Sequence, residues 1–391
     1  MTTRIYLDWN ATTPPAREVV AAVADTLAEE YGNASSIHSF GQRAKAAVDG
    51  ARTAVATLVG AEPGDVVFTS GGTEADNLAV RGVMDAVAGS ARTRLIVSAV
   101  EHEAVLNTAK ALAHRGVPVT ILPVDANGLA TVDALSAAIA DDVALVSVML
   151  ANNETGVVEP VADLARVAHA HGALFHTDAV QAAGKIPVNV RSLGIDLLSL
   201  AAHKLGGPKG AGALWIRRGT KLLSPVTGGR QERNRRAGTE DVPALVGFGV
   251  AARLAHEHGR ESARQMAALR DSLEAGILRD VPRTQVNGAG AARVPNTTNI
   301  AFDGIEAESL LIALDLDGLA VSTGSACSSG TLEPSHVLRA MGLPHRRVQS
   351  SIRFSVGPTT TADEIRRTLE IVPRVVERLR QIGRRDGAGR T

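Results

Sequence analysis

The chain has 391 residues, more than one compact core usually holds, so its length favours two domains or one large domain with a smaller partner. Its 41 basic and 41 acidic side chains balance, and only 3% of its residues are aromatic. Neither a charged field nor a stacking surface therefore favours nucleic acid or an anionic membrane as a partner, and a small-molecule substrate is the default expectation.

The compartment is predicted from the first residues and from the cysteine content. The start, MTTRIYLDWN, lacks the apolar segment of a secretory signal. No apolar run reaches the roughly 18 residues that a membrane helix needs. The single cysteine, Cys327, excludes an internal disulfide and a cysteine-cluster metal site. We therefore expect a cytoplasmic protein whose thiol stays reduced.

The first two thirds of the chain alternate strand-like and helix-like segments. Apolar, mostly β-branched runs lie at 66–70, 94–100, 119–124, 144–150, 173–177, 196–200 and 212–216. Amphipathic stretches separate them, for example at 74–88, 103–115 and 161–171. This alternation predicts an α/β fold with a mostly parallel central sheet covered by helices. Ligands of such sheets bind at the carboxyl ends of the strands, so the informative residues should follow the strands.

The last third predicts a smaller α+β domain. One long helix, at 252–283, links the two parts of the chain. We expect a large domain at 15–256 and a small domain made of 1–14 together with 257–382. The Gly- and Arg-rich residues 383–391 are typical of a disordered tail.

The segment TSGGTEADN, at 69–77, is the first candidate for chemistry. A strand ends, two glycines turn the chain, and a helix begins at Thr73 or Glu74. Backbone N–H groups at a helix N-terminus favour a phosphate, and glycine lets it approach closely. An ordinary β–α turn is the alternative. The Gly-rich loop at 206–212 is a weaker candidate of the same kind.

Two charged residues follow later strands. Asp178 can hold a protonated ring nitrogen, or it can simply cap a helix. Lys204 directly follows an apolar run, where a charged amine is costly unless it is masked as a Schiff base. The alternative is that its amine reaches solvent. A phosphate loop, an acid and a buried lysine are together the parts of a pyridoxal-phosphate site.

With these motifs, the sequence resembles the cysteine desulfurases of the nitrogen-fixation and iron–sulfur-cluster type. They belong to the class V aminotransferase family of fold type I pyridoxal-phosphate enzymes. The resemblance runs from YLDWNATTP at 6–14 to SIRFSVG at 351–357. Its strongest segments are GNASSIH (32–38), FTSGGTEADNLA (68–79), VEHEAV (100–105), ANNETG (151–156), HTDAVQ (176–181), AHKLGGPKG (202–210), RRAGTED (235–241) and STGSACSSGTLEPSHVLRAMG (322–342).

The resemblance implies roles around the cofactor ring. Lys204 would bind pyridoxal 5′-phosphate covalently, and Asp178 would pair with its ring nitrogen. Gln181 would contact the ring hydroxyl. His102 would stack on the ring and act as an acid or base, although a histidine between two glutamates is also typical of an exposed helix start.

The resemblance also implies how the phosphate is held. Thr73, the Gly72 backbone and His203 would contact it within one chain. Thr239 would reach the phosphate of the partner subunit, so a homodimer is expected. The family usually has a hydroxyl residue where this chain has Ala201 and a glycine where it has Ala202, so one phosphate contact is expected to be missing.

The implied reaction converts L-cysteine to L-alanine. Asn153 and Arg353 would bind the substrate carboxylate. Cys327 would take the sulfur as a persulfide and pass it to an acceptor protein, such as an iron–sulfur scaffold. Another reaction on the same scaffold, by an aminotransferase or a selenocysteine lyase, is the first alternative. A sulfur-relay protein that has lost catalysis, with Ala201 as a sign of decay, is the second.

Overall fold

The computed structural model describes residues 4–324 and 334–388, with side chains as far as residue 382. The expected sulfur acceptor, Cys327, lies outside the described residues. Within the described part of the chain, no helix has both the length and the apolar character needed to cross a membrane.

The helices and strands alternate through the first two thirds of the chain. The helices are α1 (Arg17–Glu29), α2 (Ser39–Leu58), α3 (Gly72–Ala86), α4 (Glu103–His114), α5 (Val132–Ala138), α6 (Val161–Ala170), α7 (Val190–Leu193), α8 (Val242–Asp280), α9 (Ala307–Leu316), α10 (His336–Ala340), α11 (His345–Gln349) and α12 (Ala362–Ala388). The strands are β1 (Ile5–Tyr6), β2 (Val66–Thr69), β3 (Arg94–Ser98), β4 (Val119–Leu122), β5 (Val143–Ser147), β6 (Leu174–Asp178), β7 (Leu197–Ala201), β8 (Gly212–Ile216), β9 (Thr284–Val286), β10 (Thr297–Phe302), β11 (Leu319–Ala320) and β12 (Ser351–Ser355).

All seven apolar runs predicted from the sequence form one central sheet. Its strand order is β2-β8-β7-β6-β5-β3-β4, and only β8 is antiparallel to its neighbours. Every residue of β5, β7 and β8 is buried, as expected for strands covered on both faces. The predicted α/β fold with a mostly parallel sheet is confirmed.

Alternate residues of each strand pack into two separate apolar layers. In β3, Ile96 faces the layer that α2, α6 and the first half of α8 cover, whereas Leu95 and Val97 face the layer under α3 and α4. This alternation is the ordinary period of a strand. The helices therefore sandwich the sheet and leave its carboxyl edge open.

A second core follows in the last third of the chain. Strands β9, β10 and β12 form a three-stranded antiparallel sheet that packs with α9, α12 and the end of α8. The N-terminal residues Ile5 and Leu7 are buried in this core, and β1 pairs with β11. Helix α8 contributes Phe248 to the first core and Ile277 to the second, so it runs through both. The domain boundaries at residues 15 and 256 stay a prediction.

Two helices extend further than the sequence predicts. Helix α8 begins at Val242 rather than at 252, because the Asp241 carboxylate accepts from the Ala244 N–H at 3.1 Å and Pro243 suits a first turn. Helix α12 continues to Ala388, into the segment expected to be disordered. Buried residues such as Val376 pack the earlier turns of α12 into the second core. Adding further turns to a formed helix then costs little free energy.

Candidate active site

A cavity of about 320 Å³ lies at the carboxyl edge of the central sheet. It brings together nine residues to which the sequence analysis assigned roles: Gly72, Thr73, His102, Asn153, Asp178, Gln181, His203, Lys204 and Arg353. Apart from Arg353, Asp178 is the last residue of β6, and the others lie in loops or helix starts that follow strands β2, β3, β5, β6 and β7. Because these strands run in the same direction, their carboxyl ends meet at one edge.

Two assigned residues are not among the described residues that line this cavity. Thr239 is exposed in the loop before α8, so its predicted contact in a partner subunit stays a prediction. Cys327 lies outside the described residues, but Gly324, three positions earlier in the sequence, borders the cavity. The described chain resumes at Pro334, and the Ser335 hydroxyl donates to the buried Glu154 carboxylate.

One end of the cavity has the features of a phosphate site. Helix α3 begins at Gly72, and its first backbone N–H groups have no partner within the helix. A Cβ atom at Gly72 would stand 2.9 Å from the Val180 side chain, so a residue other than glycine would clash at this position. Glu74 is engaged elsewhere, because its carboxylate accepts from the Ser70 N–H and from Arg236. The cradle is therefore open to an anion.

His203 borders the same end of the cavity. Its Nδ1 atom lies 3.1 Å from the Thr12 hydroxyl, which fixes the ring. Burial, with Lys204 and Lys209 nearby, lowers the pKa of His203 to about 4. The ring is thus a neutral hydrogen-bonding group at pH 7 rather than a cation.

Asp178 ends β6 at the floor of the cavity. It is 5% exposed, and its Oδ1 accepts the Val180 N–H at 2.8 Å in a turn, so the helix-cap alternative is wrong because no helix begins there. Among the described residues no cation lies within ion-pair distance of it. Burial raises its pKa, while His102 and Lys204 act in the opposite direction. A buried carboxylate without a cation fits a protonated ring nitrogen.

Asp76 is a second acid at this floor that the sequence analysis missed. It is 1% exposed and borders the cavity, and its Oδ1 has no hydrogen-bond partner. Burial and the Asp178 charge raise its pKa well above the usual range. The available signal was its position beside Ala75 and Ala79 on the apolar face of an amphipathic helix, where a carboxylate is out of place.

Lys204 lies in a short 3₁₀ turn immediately after β7. Its Nζ atom donates to the Ala11 carbonyl at 2.7 Å and also to the Asn10 carbonyl, so the amine points inward rather than to solvent. No carboxylate of the described residues forms an ion pair with it. Burial, followed by the Arg353 cation, lowers its pKa to about 8. The neutral fraction of this amine near neutral pH is therefore much larger than that of an ordinary lysine, as a nucleophilic lysine requires.

The opposite end of the cavity is built from both cores. Arg353 comes from β12, is 3% exposed, and donates to the Asn153 carbonyl at 2.9 Å and to the Asp8 carboxylate. Its Nε atom is buried with no hydrogen-bond partner. The Asn153 side chain borders the cavity beside it. An unpaired guanidinium N–H next to an amide fits a small carboxylate ligand.

His102 caps the N-terminus of α4 and also borders the cavity. Its Nδ1 atom accepts the Ala104 N–H at 3.1 Å, which requires a lone pair there and puts the proton of the neutral ring on Nε2. Burial lowers its pKa. The helix-start interpretation and a role in the cavity are therefore both compatible with its position.

Asn10 is a further residue that the sequence analysis missed. It is 1% exposed, borders the cavity, and its carbonyl accepts from both Lys204 and Gln181. Its side chain donates to Thr297 Oγ1 at 2.8 Å in the second core. Asn10 lies in a loop, and no periodicity singles out a loop residue, so only the fold reveals it.

The family model of aminotransferase class-V matches residues 5–368. Cysteine desulfurase 2 of Trichormus variabilis is 50% identical over 378 residues, which cover 97% of this chain and 94% of that protein. A cysteine desulfurase of Cereibacter sphaeroides is 49% identical over 383 residues and 97% of each chain. A solved structure of a NifS-like protein superposes with a TM-score of 0.91 at 34% identity, covering 96% of this chain and 100% of the other.

Proposed function

The chain belongs to the class-V aminotransferase family, and on that premise we propose that it is a pyridoxal-phosphate-dependent cysteine desulfurase. It converts L-cysteine to L-alanine and passes the sulfur on as a persulfide of Cys327. The observation that carries the proposal is the pair formed by Lys204 and Asp178. Both line one cavity, Asp178 buried and Lys204 partly buried, and neither has an ion-pair partner among the described residues.

The residues of the cavity fit the cofactor from end to end. Gly72 and Thr73, at the start of α3, bind its phosphate together with neutral His203. Thr239 completes this contact from the other subunit of a homodimer. Asp178 holds a proton on the ring nitrogen, Gln181 contacts the ring hydroxyl, and His102 lies against the ring. When bound, pyridoxal phosphate draws electrons away from the Cα atom of an amino acid.

Lys204 both attaches the cofactor and moves a proton. Its lowered pKa, about 8, lets the amine form a covalent bond and later accept the proton from the substrate Cα. Asp178 supports this step, because an anion beside the ring nitrogen keeps that nitrogen protonated. The carbonyls of Asn10 and Ala11 hold the released amine close to the cavity.

Arg353 and Asn153 orient the substrate. The guanidinium binds the carboxylate of L-cysteine through its unpaired N–H, and the amide adds a second contact. The Asp8 carboxylate and the Asn153 carbonyl fix the guanidinium plane from behind. The carboxylate is thereby held opposite the phosphate end.

Cys327 takes the sulfur. Its thiolate attacks the sulfur of the bound substrate, so an S–S bond forms while the substrate's C–S bond breaks. The electron pair of the broken bond stays with the Cβ carbon, which gains a proton and becomes the methyl group of alanine. No outside oxidant is needed. The support is that Cys327 is the only thiol in the sequence and that three residues of chain, at most about 11 Å, connect it to Gly324 at the cavity.

The Cys327 persulfide then passes to a sulfur-acceptor protein, such as an iron–sulfur scaffold. The short polar segment STGSACSSG, which contains the thiol, is suited to reach both the cavity and an outside acceptor. The predicted cytoplasmic location agrees with a thiol that must stay reduced.

Cys327→Ala tests the proposal. The variant should bind the cofactor and change its absorption when L-cysteine is added, because these steps need Lys204 and not the thiol. Alanine formation should fall by orders of magnitude. Mass spectrometry of the parent protein after brief exposure to L-cysteine should show one added sulfur on the peptide that contains Cys327.

The result also separates the competing activities. Alanine and sulfide released by Cys327→Ala at near the parent rate would contradict the proposal and indicate direct elimination. An aminotransferase would convert an amino acid and a keto acid regardless of Cys327. A selenocysteine lyase would depend on the thiol only weakly.

A further inference from the structure

Lys185 is a buried lysine that contacts two residues lining the cavity, Gln181 and Asn10, and nothing so far accounts for it. It is 8% exposed, and none of the described carboxylates lies within ion-pair distance. Its Nζ atom donates instead to two side-chain amide oxygens, Gln181 Oε1 at 2.6 Å and Asn10 Oδ1 at 3.2 Å. A buried amine is costly, so its pairing with two neutral acceptors needs a reason.

These two bonds fix the orientation of both amides. An amide group has one acceptor oxygen and one donor NH₂, and the two ends can exchange by a flip. With its oxygen on Lys185, Gln181 must turn its NH₂ away, and Nε2 donates to the Asn10 carbonyl at 2.9 Å. The Asn10 NH₂ likewise donates to Thr297 Oγ1. A flipped Gln181 would place donor against donor.

We propose that Lys185 is a positioning residue that presents an N–H of Gln181 to the ring hydroxyl of the cofactor. The inference rests on the proposed function. Gln181 borders the cavity, and its Nε2 carries two hydrogens, of which the Asn10 carbonyl takes one. The other is left for the cavity. Without Lys185 the Gln181 oxygen could face the cavity instead and would repel an ionised hydroxyl.

The proposal does not depend on the charge of Lys185. Burial, with the cations Lys204 and Arg353 nearby, lowers the pKa of Lys185 well below its usual value. A neutral amine still has two N–H bonds, which is enough for its two acceptors. The same Asn10 carbonyl also accepts from Lys204, so the network joins both lysines through one residue.

The test is Lys185→Met, which keeps the unbranched side chain apart from its terminal atom and removes its donors. The readout is the pH at which the absorption of the bound cofactor changes in the absence of substrate. A hydrogen-bond donor to the ring hydroxyl favours the ionised form of that hydroxyl. Without the donor, the hydroxyl should hold its proton more tightly. The midpoint should rise by roughly 0.5–1 pH unit, the effect of about one hydrogen bond. Lys110→Met, at an exposed position on α4, should leave it unchanged.

A double-mutant cycle separates positioning from a general effect on folding. In a Gln181→Ala background, Lys185→Met should cause no further shift, because no amide remains to orient. An equal shift with and without Gln181 would overturn the proposal. If Lys185→Met does not fold, Gln181→Glu tests the same assignment. Gln181→Glu keeps Lys185 with its acceptors but replaces the N–H donor by an oxygen. An unchanged pH midpoint of the cofactor absorption would then overturn the proposal.

Failure of the proposed function looks different. A parent protein that binds no pyridoxal phosphate would remove the premise. A parent protein that binds it, with the same midpoint in Lys185→Met, would remove only the role of Lys185.

Discussion

The two ends of the cavity are built in different ways. The phosphate end uses Gly72, Thr73 and His203, which follow strands of one sheet. The carboxylate end uses Arg353 from β12, held by Asp8 near the N-terminus and by the Asn153 carbonyl. The first end takes its backbone from the edge of the central sheet, with Thr12 of the N-terminal segment fixing the His203 ring, whereas the second requires both cores to be docked. Changes at the second end should therefore impair substrate binding before they impair cofactor binding.

Lys204 lies where the two ends meet, and its loss should have the largest effect. Lys204→Ala should abolish turnover and covalent attachment, because no other lysine of the described residues lines the cavity. Borohydride reduction and peptide mapping of the parent protein should place the cofactor on Lys204. Lys209→Ala, at an exposed position of the same loop, is the control and should keep the label on Lys204. Label on Lys185, Lys209 or Lys221 would contradict the assignment.

Arg353→Gln should impair substrate binding at the carboxylate end and leave cofactor affinity nearly unchanged. Losing a charge-assisted bond of about 1.5–3 kcal/mol should lower kcat/KM for L-cysteine by roughly 10- to 100-fold. The affinity for pyridoxal phosphate should stay near that of the parent protein. Arg346→Gln, at an exposed position on α11, is the matched control. A loss of cofactor affinity as large as the loss of kcat/KM would contradict the comparison, because the two ends would then not act independently.

The pH dependence of cofactor attachment tests the electrostatic link between the ends. Only the neutral amine of Lys204 attacks the cofactor, so the rate of attachment to cofactor-free protein should rise with pH through about 8. Arg353→Gln removes a cation that disfavours the charged amine, so the midpoint should move to higher pH. Stopped-flow absorbance at a series of pH values gives both midpoints. A downward shift in the variant would contradict the stated cause.

Ala201→Ser should have the smallest effect and concerns the phosphate end alone. Ala201 ends β7 at the cavity, and a hydroxyl there adds one neutral hydrogen bond of about 0.5–1.5 kcal/mol. Cofactor affinity should rise by at most about ten-fold, while the KM for L-cysteine stays unchanged. Equilibrium titration measures the cofactor affinity, and initial rates measure the KM. If Ala201→Ser and Thr73→Ala both leave the affinity unchanged, the phosphate site is elsewhere.

The same contrast explains what could be predicted from the sequence. The seven central strands and the positions of Asp178 and Lys204 follow from local patterns, because a strand and the loop after it are continuous in the chain. Arg353 came only from the family resemblance. Asn10 and the bonds of Lys185 were not predictable, since they join segments whose proximity only the packing of two cores creates.

Helix ends were also predicted less well than helix centres. The sequence places the link helix at 252, but the Asp241 cap starts it at Val242. Apolar periodicity reports the buried middle of a helix. The ends depend on single capping residues and on whether packed turns carry the helix further.

The carbonyls that accept from the Lys204 amine belong to the N-terminal segment, and this has a consequence for folding during synthesis on the ribosome. Strand β1 pairs with Leu319 and Ala320, and the Trp9 N–H donates to the Ser355 carbonyl, so this segment finds its partners only when nearly the whole chain has been made. The carbonyls of Asn10 and Ala11 therefore reach the lysine late in folding. A chain that stopped after β8 would contain every strand of the central sheet and still lack a finished pocket. Translation must approach its end before the nascent protein can hold its cofactor in the final geometry.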